Sequence, residues 1–451
     1  MTALTRSTPE AQGVSPAAVL ALIDALGAAG GTHSLMVLRH GAVIAECWWE
    51  PFTPTDPHSL YSVSKSFTSA AIGIAVGEGL LTVDDRVIDL LPDDAPAVVS
   101  EHLAAMRVRH LLTMTTGHDV DLVERLHPQD PGWARAILAQ PVDHEPGTHF
   151  VYNTPATYLL SAILQRLTGL RLLDYLEPRL LAPLGIVGAT AEQSPDGVDI
   201  GGYGMAVTTE DLARFGQLLL QRGAWEGAQL IPAEWVDEAT SAITPSAGDS
   251  PDWEQGYGYQ FWRGRHDTAR ADGAFGQFVV LVPDSDLVVV TTSGTMETRA
   301  TLSSIWEHLL PAIAAEPVAA ELPTRRTLPT PAASNRSIDG DYFFPTNPLK
   351  ITRLSVHGQE LTIDDRVVPF TAGDWVRGGT FAVDGLELPV AASGGWVDDD
   401  HFVVELVAYE TPFSWLLDLS IVPGAIDLRV TRNASFDPNR QWRLVGGVLG
   451  A

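Results

Sequence analysis

The sequence predicts an α/β fold followed by a separate all-β unit. Three observations carry this expectation. Strand-like apolar runs lie near both ends of roughly the first 315 residues, and a mostly helical stretch separates them. Beyond a Pro-, Ala- and Thr-rich segment, only short alternating runs recur. In chain order, Ser15 and Pro16 suit the start of a helix over residues 17–28. Residues 34–39 and 43–46 flank His40-Gly41 in a hairpin pattern. Residues 62–79, SVSKSFTSAAIGIAVGEG, are apolar on most sides of a helix, which marks a central, buried one. Residues from roughly 80 to 205 read as a mostly helical subdomain, punctuated by Pro and Gly. Residues 278–282 and 287–291 read as paired strands, with a helix at 305–313 to pack on their sheet. Residues 1–320 thus form one expected domain. The aperiodic stretch 316–337, EPVAAELPTRRTLPTPAASNRS, reads as a linker, assigned to 321–337. Runs at 353–356, 361–363, 386–390, 402–407 and 427–430 make residues 338–451 a small antiparallel sandwich or barrel.

Composition narrows the function. The 451 residues carry 28 Lys and Arg against 56 Asp and Glu, a net charge of −28. Nucleic acid and anionic membrane surfaces would repel such a chain and are not expected partners. A single cysteine, Cys47, excludes an intrachain disulfide and a cysteine-rich zinc site. The opening residues MTALTRSTPEAQGVSP lack a basic start followed by an apolar core, and the apolar run 67–77 is too short to span a bilayer. The expectation is a cytoplasmic protein. Only two of the basic residues are lysines, Lys65 and Lys350, and neither follows a phosphate-loop glycine pattern. A lysine retained among so many arginines points to chemistry that an always-charged guanidinium cannot perform.

Lys65 lies in Ser62-Val63-Ser64-Lys65, at the head of the apolar helix. Positions i and i+3 share a helix face, so the Ser62 hydroxyl and the Lys65 amine can meet. A serine hydroxyl needs a neighbouring base to become a nucleophile, and a desolvated lysine can serve as one. The bland alternative is a helix-capping serine beside a lysine that reaches water. No H-E-x-x-H or G-x-S-x-G is present, so zinc-peptidase and α/β-hydrolase chemistry have no support.

The stretch PHSLYSVSKSF at 57–67 resembles the active-site segment of the class C β-lactamase and penicillin-binding-protein superfamily of serine hydrolases. Further landmarks follow in order: RHLLTMTTGH at 109–118, EPGTHFVYNT at 145–154, GYG at 202–204 with DLARFG at 211–216, and GAFGQ at 273–277. The resemblance, over about residues 10–315, implies an antiparallel sheet flanked by helices, with a helical subdomain carrying Tyr152. It implies Ser62 as the acylated nucleophile, Lys65 as its basic partner and Tyr152 as a second acid or base. Thr154 stands where the family's Tyr-x-Asn/Ser segment ends in an amide or Ser. Where many members have Lys/His-Thr/Ser-Gly, this chain has Arg270-Ala271-Asp272-Gly273-Ala274. Arg270 offers a substitute charge beside Asp272, and penicillin-type carboxylate recognition and β-lactam hydrolysis are not expected. The family's oxyanion hole maps onto the N–H groups of Ser62 and of Gly273 or Ala274, with the register open. The segment after the linker resembles the lipocalin-like β-barrel that some members append, on which Arg440 and Arg443 are either carboxylate ligands or surface charges. The implied activity is hydrolysis of an ester, amide or peptide, a small-molecule or peptide substrate, through a Ser62 acyl-enzyme without metal or organic cofactor. Acyl transfer to an amine, as in penicillin-binding-protein-type thioesterases and peptide cyclases, is the alternative. A non-catalytic binding protein on the same fold is a second. The sequence leaves oligomeric state open.

Overall fold

The computed structural model describes residues 3–448 apart from 128, 249, 314, 332–333, 335–338, 384–385 and 423–424. The expected start of the barrel unit at 338, and most of the linker's end, therefore lie outside the described residues. A seven-stranded sheet runs in the order Arg325–Thr327, Ala42–Glu50, Thr32–Arg39, Leu287–Ser293, Gln277–Val282, Ala269–Gly273, Trp262–Arg263. All neighbours pair antiparallel except the first two. The hairpin at His40-Gly41 forms as expected, both residues taking positive φ (49° and 75°), the geometry that matches strand twist. The stretch read as linker is not all connector. Arg325–Thr327 pairs in parallel with Ala42–Glu50, a three-residue edge strand too short to leave a periodic signal.

The central strands are apolar on both faces because both are covered. Leu35, Val37, Val280 and Val289 pack under the helix Pro16–Ala29 and against Leu302 and Trp306. Met36, Leu38, Val279 and Val288 face the helix Thr209–Leu220, which Thr208 and Asp211 close with a reciprocal capping box. Ser15 flanks the first helix without capping it by its side chain; its hydroxyl accepts from Val318 N at 3.1 Å, pinning the start of the connecting segment. Cys47 is buried in this layer and burial pushes its thiol up to about 12, which makes it inert packing.

Ten antiparallel strands, from Asp339–Phe343 to Gln441–Val448, form the second sheet. Its edge strands, Arg366–Pro369 and Val376–Val383, follow one another in the chain and meet, so the sheet is a nearly closed barrel. Its core, which includes Leu354, Val404, Trp415, Leu417 and Leu428, shares no residue with the cores of the first sheet. Arg443 pairs with Asp427 and Arg440 donates to the Asn433 carbonyl, so both arginines serve the barrel itself. Among the described residues no helix is long and apolar enough to cross a membrane.

Candidate active site

The α-helix expected from Ser62 begins two residues later. Tyr61–Val63 forms a 3₁₀ turn and Ser64–Gly77 the helix, buried from Ser64 to Ala75. A tight turn entering a buried helix places a short side chain at the helix mouth while the next face sinks into protein. Ser62 occupies the first position and Lys65 the second, 1% exposed. The Lys65 Nζ lies 3.0 Å from Ser62 Oγ, 2.8 Å from the Gly202 carbonyl and 3.3 Å from Thr154 Oγ1. Thr154 in turn donates to Asp121 Oδ2 at 3.1 Å, and its backbone N–H donates to Asp121 Oδ1 at 3.1 Å.

These contacts and the burial of the amine suit it to accept a proton. Burial pushes the Lys65 pKa down to about 7, against the pull of Asp121 and Asp272. In its neutral form the amine can direct its two N–H bonds at Gly202 O and Thr154 Oγ1. Its lone pair then faces Ser62 Oγ, ready to take the hydroxyl proton. Tyr152 completes the group. Its ring centroid lies 4.8 Å from Lys65 Nζ, and its hydroxyl bonds to Ser62. Burial raises the phenol's pKa above its ordinary value, so Tyr152 stays protonated as a donor. Trp262 stacks on it at 5.5 Å and Tyr257 meets it edge-on at 6.2 Å.

Gly273 ends the strand next to the nucleophile. A Cβ there would lie 2.3 Å from the Leu60 carbonyl and 3.2 Å from Val63 N, so only glycine lets the strand approach the turn. Ala274 follows at the start of the reversal to Gln277, whose side-chain amide donates to the Ala274 carbonyl at 2.9 Å. The Gly273–Ala274 segment thus lies beside the Ser62 turn. Arg270 and Asp272 form a buried ion pair. Arg270 is fully buried, its Nε 2.8 Å from Asp272 Oδ2, with Trp253 Nε1 on the same oxygen at 2.9 Å. Its Nη1 donates to the Asp252 carbonyl at 2.8 Å. Burial raises the Asp272 pKa, opposed by Arg270 and Trp253. Neither the Asp121 link nor the Asp252–Trp253 support was foreseen, because each joins residues distant in sequence with no motif between them. A cleft of about 700 Å³ opens beyond this group, lined by Trp253, Trp262, Met296 and Glu297. Asp119, His144 and His149 hold ligand atoms within 4.8 Å of one another, a group able to hold a metal ion.

A family model described as Beta-lactamase matches residues 19–310. The chain belongs to the beta-lactamase family. It is 28% identical over 283 residues to the 6-aminohexanoate-dimer hydrolase of Paenarthrobacter ureafaciens, covering 58% of this chain and 72% of that one. It is 28% identical over 170 residues to the monacolin J acid methylbutanoyltransferase of Aspergillus terreus, spanning 32% of this chain and 41% of the relative. The octameric penicillin-binding protein homologue of Pyrococcus abyssi superposes with a TM-score of 0.52 at 16% identity, covering 95% of this chain and 98% of that one. That coverage extends the shared fold through the C-terminal barrel. As a member of this family, with relatives that are hydrolases and acyltransferases, the chain is an enzyme.

Proposed function

We propose that this family member is a serine hydrolase acting on an ester, amide or peptide through a Ser62 acyl-enzyme. One observation carries the reading most: a sealed lysine with its pKa near 7, 3.0 Å from a serine hydroxyl. Neutral Lys65 takes the Ser62 proton as Oγ attacks the substrate carbonyl. The carbonyl oxygen, now negative, is received by the N–H of Ser62 and one from Gly273 or Ala274. As the tetrahedral centre collapses, the carbon–leaving-group bond breaks and Tyr152 gives its proton to the leaving alcohol or amine. Lys65, now protonated, returns a proton toward Tyr152. Water then enters, loses its proton to the same pair and releases the acid, restoring Ser62.

The relative named as a methylbutanoyltransferase supports a second reading, in which an alcohol or amine replaces water in the last step. Intact-mass measurement after mixing with p-nitrophenyl esters tests both. We expect an acyl adduct that disappears in Ser62→Ala. Decay of the adduct at a rate independent of added amine means hydrolysis, and decay accelerated by amine, with the amide as product, means transfer. An adduct that persists in Ser62→Ala would overturn the assignment.

A further inference from the structure

The barrel reaches the segment that carries the candidate nucleophile. Ser59 N donates to the Glu410 carbonyl at 2.9 Å, and Asn433 Nδ2 donates to Gly294 O at 2.7 Å and Pro412 O at 2.8 Å. Gly294 sits so tightly against the barrel that a Cβ would lie 2.0 Å from Pro412 O. Two barrel rings follow from this contact. Phe413 lies 6.1 Å from Tyr61 and 5.6 Å from Phe275; Phe436 lies 6.0 Å from Tyr61 and 4.9 Å from Phe275. Tyr61 immediately precedes Ser62, and Phe275 immediately follows Ala274. Both hold positive φ, 49° and 67°, which non-glycine residues rarely adopt and which fixes where their rings project. The Arg432 guanidinium stacks 3.6 Å from the centroid of Phe413 and steadies that ring.

Interface packing accounts for Phe275, which is 4% exposed, and for half-buried Phe413. It does not account for Phe436. That ring is 75% exposed yet held against two rings that flank the nucleophile and the candidate oxyanion segment. An exposed phenylalanine packed on rings whose chain neighbours are Ser62 and Ala274 is unfinished apolar surface, which a bound group would complete.

Resting on the acyl-enzyme reading above, we infer that Tyr61, Phe275, Phe413 and Phe436 form an apolar subsite, one wall of which the barrel supplies. Its ligand is an aryl or extended alkyl group attached to the scissile carbonyl, and Phe436 sets the preference for it.

The test compares p-nitrophenyl 4-phenylbutyrate with p-nitrophenyl acetate. In Phe436→Ala the ratio of their kcat/KM values should fall about tenfold, the scale of one aromatic contact with its buried area. Phe436→Trp should keep the ratio within about threefold of the original. Because the ring is exposed, neither variant endangers the fold. A ratio unchanged within twofold in Phe436→Ala overturns the subsite. A binding measurement separates this from failure of the catalytic reading. On Ser62→Ala, calorimetry with 4-phenylbutyramide should show affinity about tenfold weaker when Phe436 is also Ala. Equal affinity overturns the subsite whether or not the esters are turned over. If the esters form no adduct while the amide affinity still drops, the acyl-enzyme reading fails and the subsite stands.

Discussion

The two regions that meet at the segment carrying Ser62 are built differently. On one side, the turn and helix at 61–77 sink into the first domain, and Lys65 meets Ser62, Thr154 and Gly202 across buried contacts. On the other, the barrel presents rings at its surface, one of them largely bare. Buried polar contacts fix geometry because each unmade bond is costly there. Exposed apolar rings fix little until something covers them. Under the proposals above, the contrast becomes a division of labour: the first side performs chemistry on any acyl group, and the second chooses among acyl groups.

Four experiments sharpen or break that division. The largest effect belongs to Ser62→Ala, which should abolish acylation for every substrate while costing at most about 2 kcal/mol of stability, the upper scale of a lost helix-start hydroxyl. Thermal denaturation beside intact-mass labelling checks both halves. Next is Lys65→Arg. It keeps the charge but has no accessible neutral form, so single-turnover acylation by an activated ester should lose nearly all its rate. A rate within tenfold of the original would make Lys65 an electrostatic fixture and move the base elsewhere. Tyr152→Phe should slow acylation or deacylation by ~10²–10⁴, the scale of a positioned acid–base group. Losses below threefold in both steps would reduce Tyr152 to packing. All three should act equally on acetyl and phenylbutyryl esters; a variant here that altered their ratio would blur the division.

The smallest effect concerns pH. Only neutral Lys65 can accept the Ser62 proton, so acylation should rise with pH through a midpoint near 7. Asp121 holds that midpoint up by favouring the ammonium, so Asp121→Asn should move it to lower pH. Stopped-flow acylation across the pH range reads the shift, and a midpoint moving upward would contradict the pull of Asp121 on the Lys65 ammonium.

Much of the candidate site was legible in the sequence because it is local. Ser62 and Lys65 are one helical turn apart, Tyr152 and Thr154 lie in one tripeptide, and the paired valine-rich strands declare a sheet covered on both faces. What was not legible is contact between remote segments. Asp121 reaches Thr154 across 33 positions, and Trp253 reaches Asp272 across 19, with no periodicity to mark either. In the barrel, the strand Val376–Val383 went unread because Arg377-Gly378-Gly379 breaks the alternation, while a register shift in its pairing absorbs those residues. Phe436 stands in a loop, where an aromatic residue carries no signal until the fold shows which surface it overlooks.

Lysine usage has a practical consequence for handling the protein. Lys65 is sealed against solvent, whereas Lys350 is exposed on the barrel side of the molecule. The chain therefore offers reagents a single accessible side-chain amine. Under alkaline conditions amine-directed coupling would modify the Lys350 side chain on the barrel, besides the chain's α-amine, while leaving the sealed Lys65 unmodified.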